Sequence, residues 1–369
     1  MRFLTVFPNC ENIHLVKDVG MIPYLLHKEE GYDSTIASYN NGEYPYLANE
    51  VKGLNHVFIS KKFKSMRLNV LYFILTNYRK YDILQVYHFS IDSLLFLSFF
   101  KMLKAGDKRT RTYLKLDADD DILKIRMRGV LGFFGKKMID SISLISVETK
   151  MLFDKLQEKK IFEKSLVYIP NGFYDYGKKN IVDFIEKKNT FLTVGRIGTY
   201  QKNNEVLLEA FKLFAKDNST WNLQLVGPIE SNFNDYIKQY FTDNPELRNR
   251  VLFVGAISDR PELNKFYQEA KVFVLSSRYE SFGLVYLEAM AYGCTIISSN
   301  VTPAYDLVDN GRLGAIFNMD YAYELKESMI NYANEDSFLK DNSNKINEFA
   351  YDNYYWPILI KRINQNLLK

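Results

Sequence analysis

Glu280 and Glu288 stand eight residues apart in Arg278-Tyr-Glu-Ser-Phe-Gly-Leu-Val-Tyr-Leu-Glu-Ala-Met-Ala-Tyr-Gly293, directly after the apolar run Val272-Phe-Val-Leu-Ser276. The run reads as a buried strand and the segment after Gly283 as a helix, so two carboxylates flank a strand-to-helix turn. The amides of Phe282, Gly283 and Leu284 are then among the helix's orphan donors, at the positive end of a dipole worth about half an elementary charge. Phosphate is the natural guest there. Glu288 falls roughly 7 Å along the helix axis, its side chain leaning back towards the N-terminus, while Glu280 and Ser281 stay in the loop. Such a site suits one ligand that offers hydroxyls to Glu280, phosphate to the amides and a second hydroxylated ring to Glu288. Those are the parts of a nucleotide sugar. Acidic residues complementing a helix dipole would look the same in isolation, so the surroundings must decide.

A second candidate group follows the strand pattern Phe191–Val194. In Val194-Gly-Arg-Ile-Gly-Thr-Tyr-Gln-Lys-Asn-Asn204, Arg196 and Lys202 stand six residues apart at a βα corner. Cations so placed could neutralise a departing diphosphate, the main electrostatic lever for breaking a glycosyl–phosphate bond.

These groups need two sheets to hold them. Short apolar strands alternate with helical stretches, the pattern of parallel sheets covered on both faces. The first half offers Phe3–Phe7, Ser34–Ser38, His56–Ile59, Leu84–His88, Thr112–Leu116, Leu144–Val147 and Leu166–Ile169, with helices such as Val19–Lys28 and Ile122–Met138 between them. The second offers Phe191–Val194, Leu223–Val226, Val251–Val254, Val272–Leu275, Thr295–Ser298 and Ala315–Phe317. The reading is α/β, with two Rossmann-like domains in series. Glycine, Asp, Lys and Asn displace the apolar periodicity between Pro170 and Asn189, which places the division at residues 1–172 and 173–351. An amphipathic helix closes the chain within 352–369.

Length and composition fit this plan. The chain has 369 residues, 47% hydrophobic and 25% charged, enough for two ordinary cores. Cys10 and Cys294 form no disulfide framework or metal cluster, which points to a reducing cytoplasm. The opening Met1–Pro8 run is short for a signal peptide, and Ile91–Leu103 contains Asp92 and Lys101 and is too short to span a bilayer. Net charge is +4, with +7 on residues 1–172 and −3 on the rest. In the densest basic part, Lys61-Lys-Phe-Lys-Ser-Met-Arg67 and Arg79-Lys80 alternate with Phe63, Met66, Leu68, Val70 and Leu71. That surface suits an anionic membrane, or else a solvated helix face. No recognition motif accompanies it, so nucleic acid is not expected.

Glu280-Ser-Phe-Gly-Leu with Glu288-Ala-Met-Ala-Tyr-Gly-Cys-Thr-Ile-Ile297 resembles the signature of family 4 retaining glycosyltransferases of the GT-B fold. The resemblance is specific in the second half of the chain and extends to the first only in outline. It implies two Rossmann-like domains with an interdomain cleft, the second holding the donor, and a C-terminal helix crossing back onto the first. By the same resemblance Arg196 and Lys202 bind the donor diphosphate, Glu280 the sugar hydroxyls, Glu288 the ribose, and the loop around Gly255–Ser258 the base, against Ile257. Where the family commonly has glycine after the lysine, this chain has Asn203, a residue also at home at a helix start. His88, at the tip of its strand, resembles the family's strand-end histidine near the reacting sugar, and Gly20 is what remains of a glycine pair near the donor phosphate. Asp306 stands where the family often has a glutamate. Asp117-Ala-Asp-Asp-Asp121 superficially offers a metal-binding D-x-D, but between a strand and a helix it reads as acidic capping.

The expected protein is a metal-independent, retaining hexosyltransferase, without cofactor. It would move a sugar from a nucleotide sugar, with UDP favoured, to a saccharide or lipid-linked saccharide in cell-surface polysaccharide or glycoconjugate synthesis, in the cytoplasm and peripherally at the membrane. Two alternatives stay open: a non-catalytic GT-B subunit that binds carbohydrate or steadies a partner enzyme, and an enzyme that remodels the free nucleotide sugar.

Overall fold

The computed structural model describes residues 1–125 and 129–369. The chain divides into two compact units, one of Met1–Tyr174 with Tyr355–Lys369 and the other of Asp175–Tyr354. In sequence the breaks fall after Tyr174 and Tyr354, against 172 and 351 expected.

The first unit is built on a parallel sheet of β1 (Arg2–Val6), β2 (Asp33–Ser38), β3 (Asn55–Phe58), β4 (Ile83–Tyr87), β5 (Arg111–Lys115), β6 (Leu144–Val147) and β7 (Leu166–Tyr168). Their order is β3-β2-β1-β4-β5-β6-β7, so the chain winds outwards from β1 in one direction and from β4 in the other. That reversal is the topological switch point of a doubly wound sheet. Between the strands lie α1 (Asp18–Glu30), α2 (Tyr46–Asn49), α3 (Met66–Asn77), α4 (Ile91–Leu103), α5 (Gly129–Ile139) and α6 (Lys150–Glu158). Where the sequence suggests one helix over Ile122–Met138, there is a 3-10 turn, Asp120–Lys124, and then α5; the part at 126–128 lies outside the described residues.

The second unit has β8 (Lys188–Val194), β9 (Asn222–Val226), β10 (Val251–Gly255), β11 (Ala270–Leu275), β12 (Thr295–Ser299) and β13 (Gly314–Phe317). Their order is β10-β9-β8-β11-β12-β13, again parallel, with the switch point between β8 and β11. Its helices are α7 (Asn204–Ala215), α8 (Asn234–Asp243), α9 (Arg260–Glu269), α10 (Leu284–Ala291), α11 (Thr302–Leu307), α12 (Ala322–Asn334) and α13 (Asp336–Tyr354). Strands such as Ala270–Leu275 are buried at every position, which is why they read as continuous apolar runs rather than alternating ones.

The last helix, α14 (Trp356–Leu368), belongs to the first unit. Trp356, Leu359, Ile360, Ile363 and Leu367 recur at helical spacing and are all buried among Val19, Ile22 and Leu26 of α1. Each large apolar side chain so buried contributes about 1.5–3 kcal/mol, so this stripe alone ties the chain's end to the first core. Asn364 adds polar links, accepting from Tyr32 Oη at 2.7 Å and donating to Glu30 at 2.5 Å.

Candidate active site

The second unit gathers most of the expected residues on two loops at the carboxyl ends of β8 and β11. After β8 the chain turns through Gly195 and Gly198, both at positive φ. A Cβ on Gly198 would lie 2.3 Å from the Phe233 side chain, so the turn needs glycine there. Lys202 closes this loop, its amide donating to the Thr199 carbonyl at 3.1 Å. Asn203 follows as the N-cap of α7 at φ 50°, ψ 47°. This left-handed conformation explains the family's preference for glycine at the position, and asparagine is among the few side-chain-bearing residues that adopt it readily. Asn203 Nδ2 donates to Asp320 at 2.9 Å rather than capping its own helix.

After β11 the loop Ser276–Gly283 crosses the first one and is laced to it. Ser276 Oγ donates to the carbonyls of Lys202 and Asn203, both at 3.0 Å. The Arg278 amide donates to the Gln201 carbonyl at 2.8 Å, and Gln201 Nε2 to the Tyr279 carbonyl at 3.1 Å. The result is a rigid corner with one buried ion pair at its centre. Lys202 Nζ donates to Glu280 Oε1 at 2.5 Å, the side chains being 14% and 7% exposed. Ser277 Oγ donates to the same oxygen at 2.7 Å. Arg196 is exposed beside this pair, in touch with Gln201 Oε1 at 3.3 Å.

Gly283 caps α10 in the left-handed region, φ 80°, and a Cβ there would meet the Tyr286 ring at 2.8 Å while standing 3.9 Å from the Glu280 carboxyl carbon. Only glycine lets the helix start so close to Glu280. Ser281 is exposed and Leu284 half-buried, whereas Phe282 is buried, edge-on to Tyr354 at 6.0 Å. Phe282 therefore contributes backbone to this end of α10 and its ring to the core.

Glu288, one and a half turns into α10, is joined not to Glu280 but to the β10–α9 corner. Arg260 Nη2 donates to its Oε1 at 2.6 Å, and Tyr267 Oη to its Oε2 at 2.7 Å. The Glu288 carboxylate raises the Arg260 pKa, and burial together with Glu288 pushes the Tyr267 phenol well above its ordinary value, so both stay protonated donors. Arg260 sits at the start of α9, whose N-cap Asp259 accepts from Glu262 N at 3.0 Å. Ile257 lies half-buried in the loop just before it. Sequence reasoning missed Arg260, Tyr267 and Ser277. For Arg260 a signal existed: it is the cation at the β10–α9 corner as Arg196 is at the β8–α7 corner.

The first unit holds the other expected residues. His88 is exposed just past β4, at φ 59°, its amide donating to the Lys115 carbonyl at 2.9 Å. Gly20 is buried within α1; its amide donates to the Lys17 carbonyl, and a Cβ would lie 2.1 Å from the Leu15 carbonyl oxygen. That gives this glycine a packing reason of its own. In the D-x-D stretch, Asp119 caps the 3-10 turn by accepting from Asp121 N at 3.0 Å. Asp306 lies within α11 (Thr302–Leu307), and its carbonyl accepts from Tyr354 Oη at 3.2 Å. Of the apolar residues in the basic stretch, Phe63, Met66 and Leu68 are exposed as a membrane surface would require, while Val70 is core and Leu71 packs against it. Among the described residues no helix is long and apolar enough to cross a membrane.

Two parallel α/β units, a glycine-started helix beside a Lys–Glu pair and a return of the last helix to the first unit define a GT-B fold. Residues 178–352, just under half the chain, match the family described as glycosyl transferases group 1. Among curated relatives, an uncharacterized 41.2 kDa protein in the cps region of Klebsiella pneumoniae is 30% identical over 144 residues, 39% of this chain and 37% of that one. The capsular polysaccharide biosynthesis glycosyltransferase CapM of Staphylococcus aureus is 28% identical over 155 residues, 40% of this chain and 38% of that one. The chain thus spans well under half the length of these relatives. A crystal structure of Anabaena HepE in complex with UDP and glucose matches with a TM-score of 0.71 at 16% identity, covering 100% of this chain and 99% of that one.

Proposed function

We propose that this protein is a retaining glycosyltransferase that moves a hexosyl group from a nucleotide sugar, with UDP as the nucleotide, to a saccharide or lipid-linked saccharide in cell-surface polysaccharide assembly. The observation that carries the reading is the Lys202–Glu280 pair set against the N-terminus of α10. A lysine has three N–H donors and a carboxylate about four acceptor positions. Each partner therefore keeps capacity for a ligand: Lys202 for phosphate oxygens, Glu280 for sugar hydroxyls. Exposed Arg196 supplies a second cation, and the first amides of α10 a dipolar anion seat. Glu288, oriented by Arg260 and Tyr267, accepts the ribose hydroxyls. UDP in the HepE complex and the capsule role in the CapM name support the choice of nucleotide and pathway.

As the bond between the anomeric carbon and the phosphate oxygen breaks, Arg196 and Lys202 stabilise the charge that develops on the leaving diphosphate. The acceptor oxygen attacks from the same face, and its proton passes to the departing phosphate. Because the cations are side chains, transfer is expected to persist in a chelator. The protein works in the cytoplasm, with the exposed Phe63, Met66 and Leu68 and their neighbouring cations resting on anionic lipid, each well-placed cation worth about 1 kcal/mol.

A thermal-shift screen against UDP-, GDP- and ADP-sugars tests the donor, since a ligand at about 100 times its Kd stabilises by ~2.7 kcal/mol. A shift with none of them defeats the proposal. Nuclear magnetic resonance of the donor alone separates transfer from remodelling of the free nucleotide sugar. Flotation with anionic and with neutral liposomes tests the membrane surface; equal recovery defeats that part.

A further inference from the structure

The Glu280 carboxylate is held by one oxygen and offered by the other. Its Oε1 accepts both from Lys202 Nζ at 2.5 Å and from Ser277 Oγ at 2.7 Å. Its Oε2 has no hydrogen-bond partner among the described residues and stays open to solvent. A carboxylate has about four acceptor positions. With both donors on Oε1, those left for a ligand lie chiefly on Oε2. Gly283 keeps the approach clear, since even a Cβ there would stand 3.9 Å from the carboxyl carbon.

Ser277 gives its side chain to this one task. It is fully buried two residues past the end of β11, and its Oγ makes no other hydrogen bond among the described residues. Its backbone is pinned from the neighbouring strand, where Ser299 Oγ, at the end of β12, donates to the Ser277 carbonyl at 2.5 Å. Of the serine pair, Ser276 fastens the two loops to each other through the Lys202 and Asn203 carbonyls, and Ser277 fastens the carboxylate. A second donor on Oε1 matters because Lys202 is also the cation aimed at the diphosphate. Held by the lysine alone, Oε1 would lose its only partner whenever Nζ turned to phosphate, and leaving a buried acceptor unmade is costly.

We propose that Ser277 is a positioning residue for recognition of the donor sugar: it holds Glu280 by Oε1, so that Oε2 meets the sugar hydroxyls and Lys202 Nζ can turn to the diphosphate. The role rests on the glycosyltransferase reading, which supplies the sugar and the diphosphate.

Calorimetric titration of the full chain tests it, with UDP, GDP and ADP, with their glucose conjugates, and with UDP-galactose and UDP-N-acetylglucosamine. The readout is the ratio of the Kd of a nucleotide sugar to that of its nucleotide. That ratio isolates the sugar contact, and a serine that merely stabilised the fold would not move it. Ser277→Ala is expected to raise it at least about 10-fold, the order of one hydrogen bond to a charged group. Glu280→Ala is expected to raise it as far or further, and the double variant no further than Glu280→Ala alone, because the serine acts only through the carboxylate. Should Ser277→Ala fail to fold, Ser277→Cys, of similar size and with only a weak donor, is expected to raise the ratio in the same direction. A ratio unmoved by the alanine or cysteine variant, or a double variant in which the two effects add, overturns the role of Ser277 and leaves the donor reading standing. A wild type that binds none of these compounds sinks the donor reading and the role of Ser277 with it.

Discussion

The two sheets end in opposite electrostatic designs. In the second unit two of the key cations are paired with a carboxylate close by: Lys202 with Glu280 at 2.5 Å and Arg260 with Glu288 at 2.6 Å. In the first unit three carboxylates share Lys115, which donates to Glu148 at 2.6 Å and stands 3.7 Å from Asp18. A preorganised, charge-matched corner suits a ligand that is always the same, such as a nucleotide diphosphate. The first unit instead concentrates its charge in one buried cluster, where a single lysine serves several carboxylates.

The contrast can be broken most forcefully at Lys115. Lys115→Met leaves Glu148 and Asp18 buried without their cation, and removing one partner of a buried pair costs about 3–5 kcal/mol; urea unfolding of the first unit should show it. A loss under about 1 kcal/mol, the level of an ordinary exposed pair, would mean that the carboxylates are held by something else. Arg196→Ala comes next. Its side chain is exposed, so the melting temperature should hold while turnover falls by about 10²–10³-fold, the effect of one electrostatic donor. Wild-type turnover in this variant would remove Arg196 from the chemistry.

A third variant tests another carboxylate of the first unit. Asp82 lies at the amino edge of the same sheet. Burial raises its pKa, but hydrogen bonds and charge from Arg2, with Lys104, outweigh this and bring it to about 2. A depressed carboxylate pKa stabilises the fold above the unfolded value and loses that contribution as pH falls through the folded one. Asp82→Asn should therefore cost about 2 kcal/mol at pH 7, with the difference from wild type shrinking between about pH 4 and pH 2. A gap independent of pH would assign Asp82 a purely steric role. The smallest effect is expected at Asn203. Asn203→Val places a β-branched residue at φ 50° and should cost about 1–2 kcal/mol, whereas Asn203→Gly should be nearly neutral in thermal unfolding.

Much of this was legible from sequence. All thirteen expected strands are present, with ends moved by at most three residues, because buried parallel strands announce themselves as apolar runs. Glycine at 283 and the pair Arg196 and Lys202 marked two βα corners. The pairing between those corners was not legible, since Lys202 and Glu280 are 78 residues apart and only the β8–β11 neighbourhood joins them. Glu288 read as a free ligand group because Arg260 and Tyr267 come from another helix. Val70 read as surface because its basic neighbours do face solvent, while the helical period turns Val70 itself into the core. Asp18 was not among the expected residues, because Lys115, 3.7 Å from its carboxylate, is remote in sequence.

The central claim is that the second unit seats a nucleotide diphosphate between its two cations and the start of α10. A crystal structure of the protein with UDP tests it most directly. The account predicts the β-phosphate within about 3 Å of Lys202 Nζ or the Arg196 guanidinium, with the ribose hydroxyls on Glu288. Phosphates bound away from Arg196, Lys202 and the α10 N-terminus would contradict it.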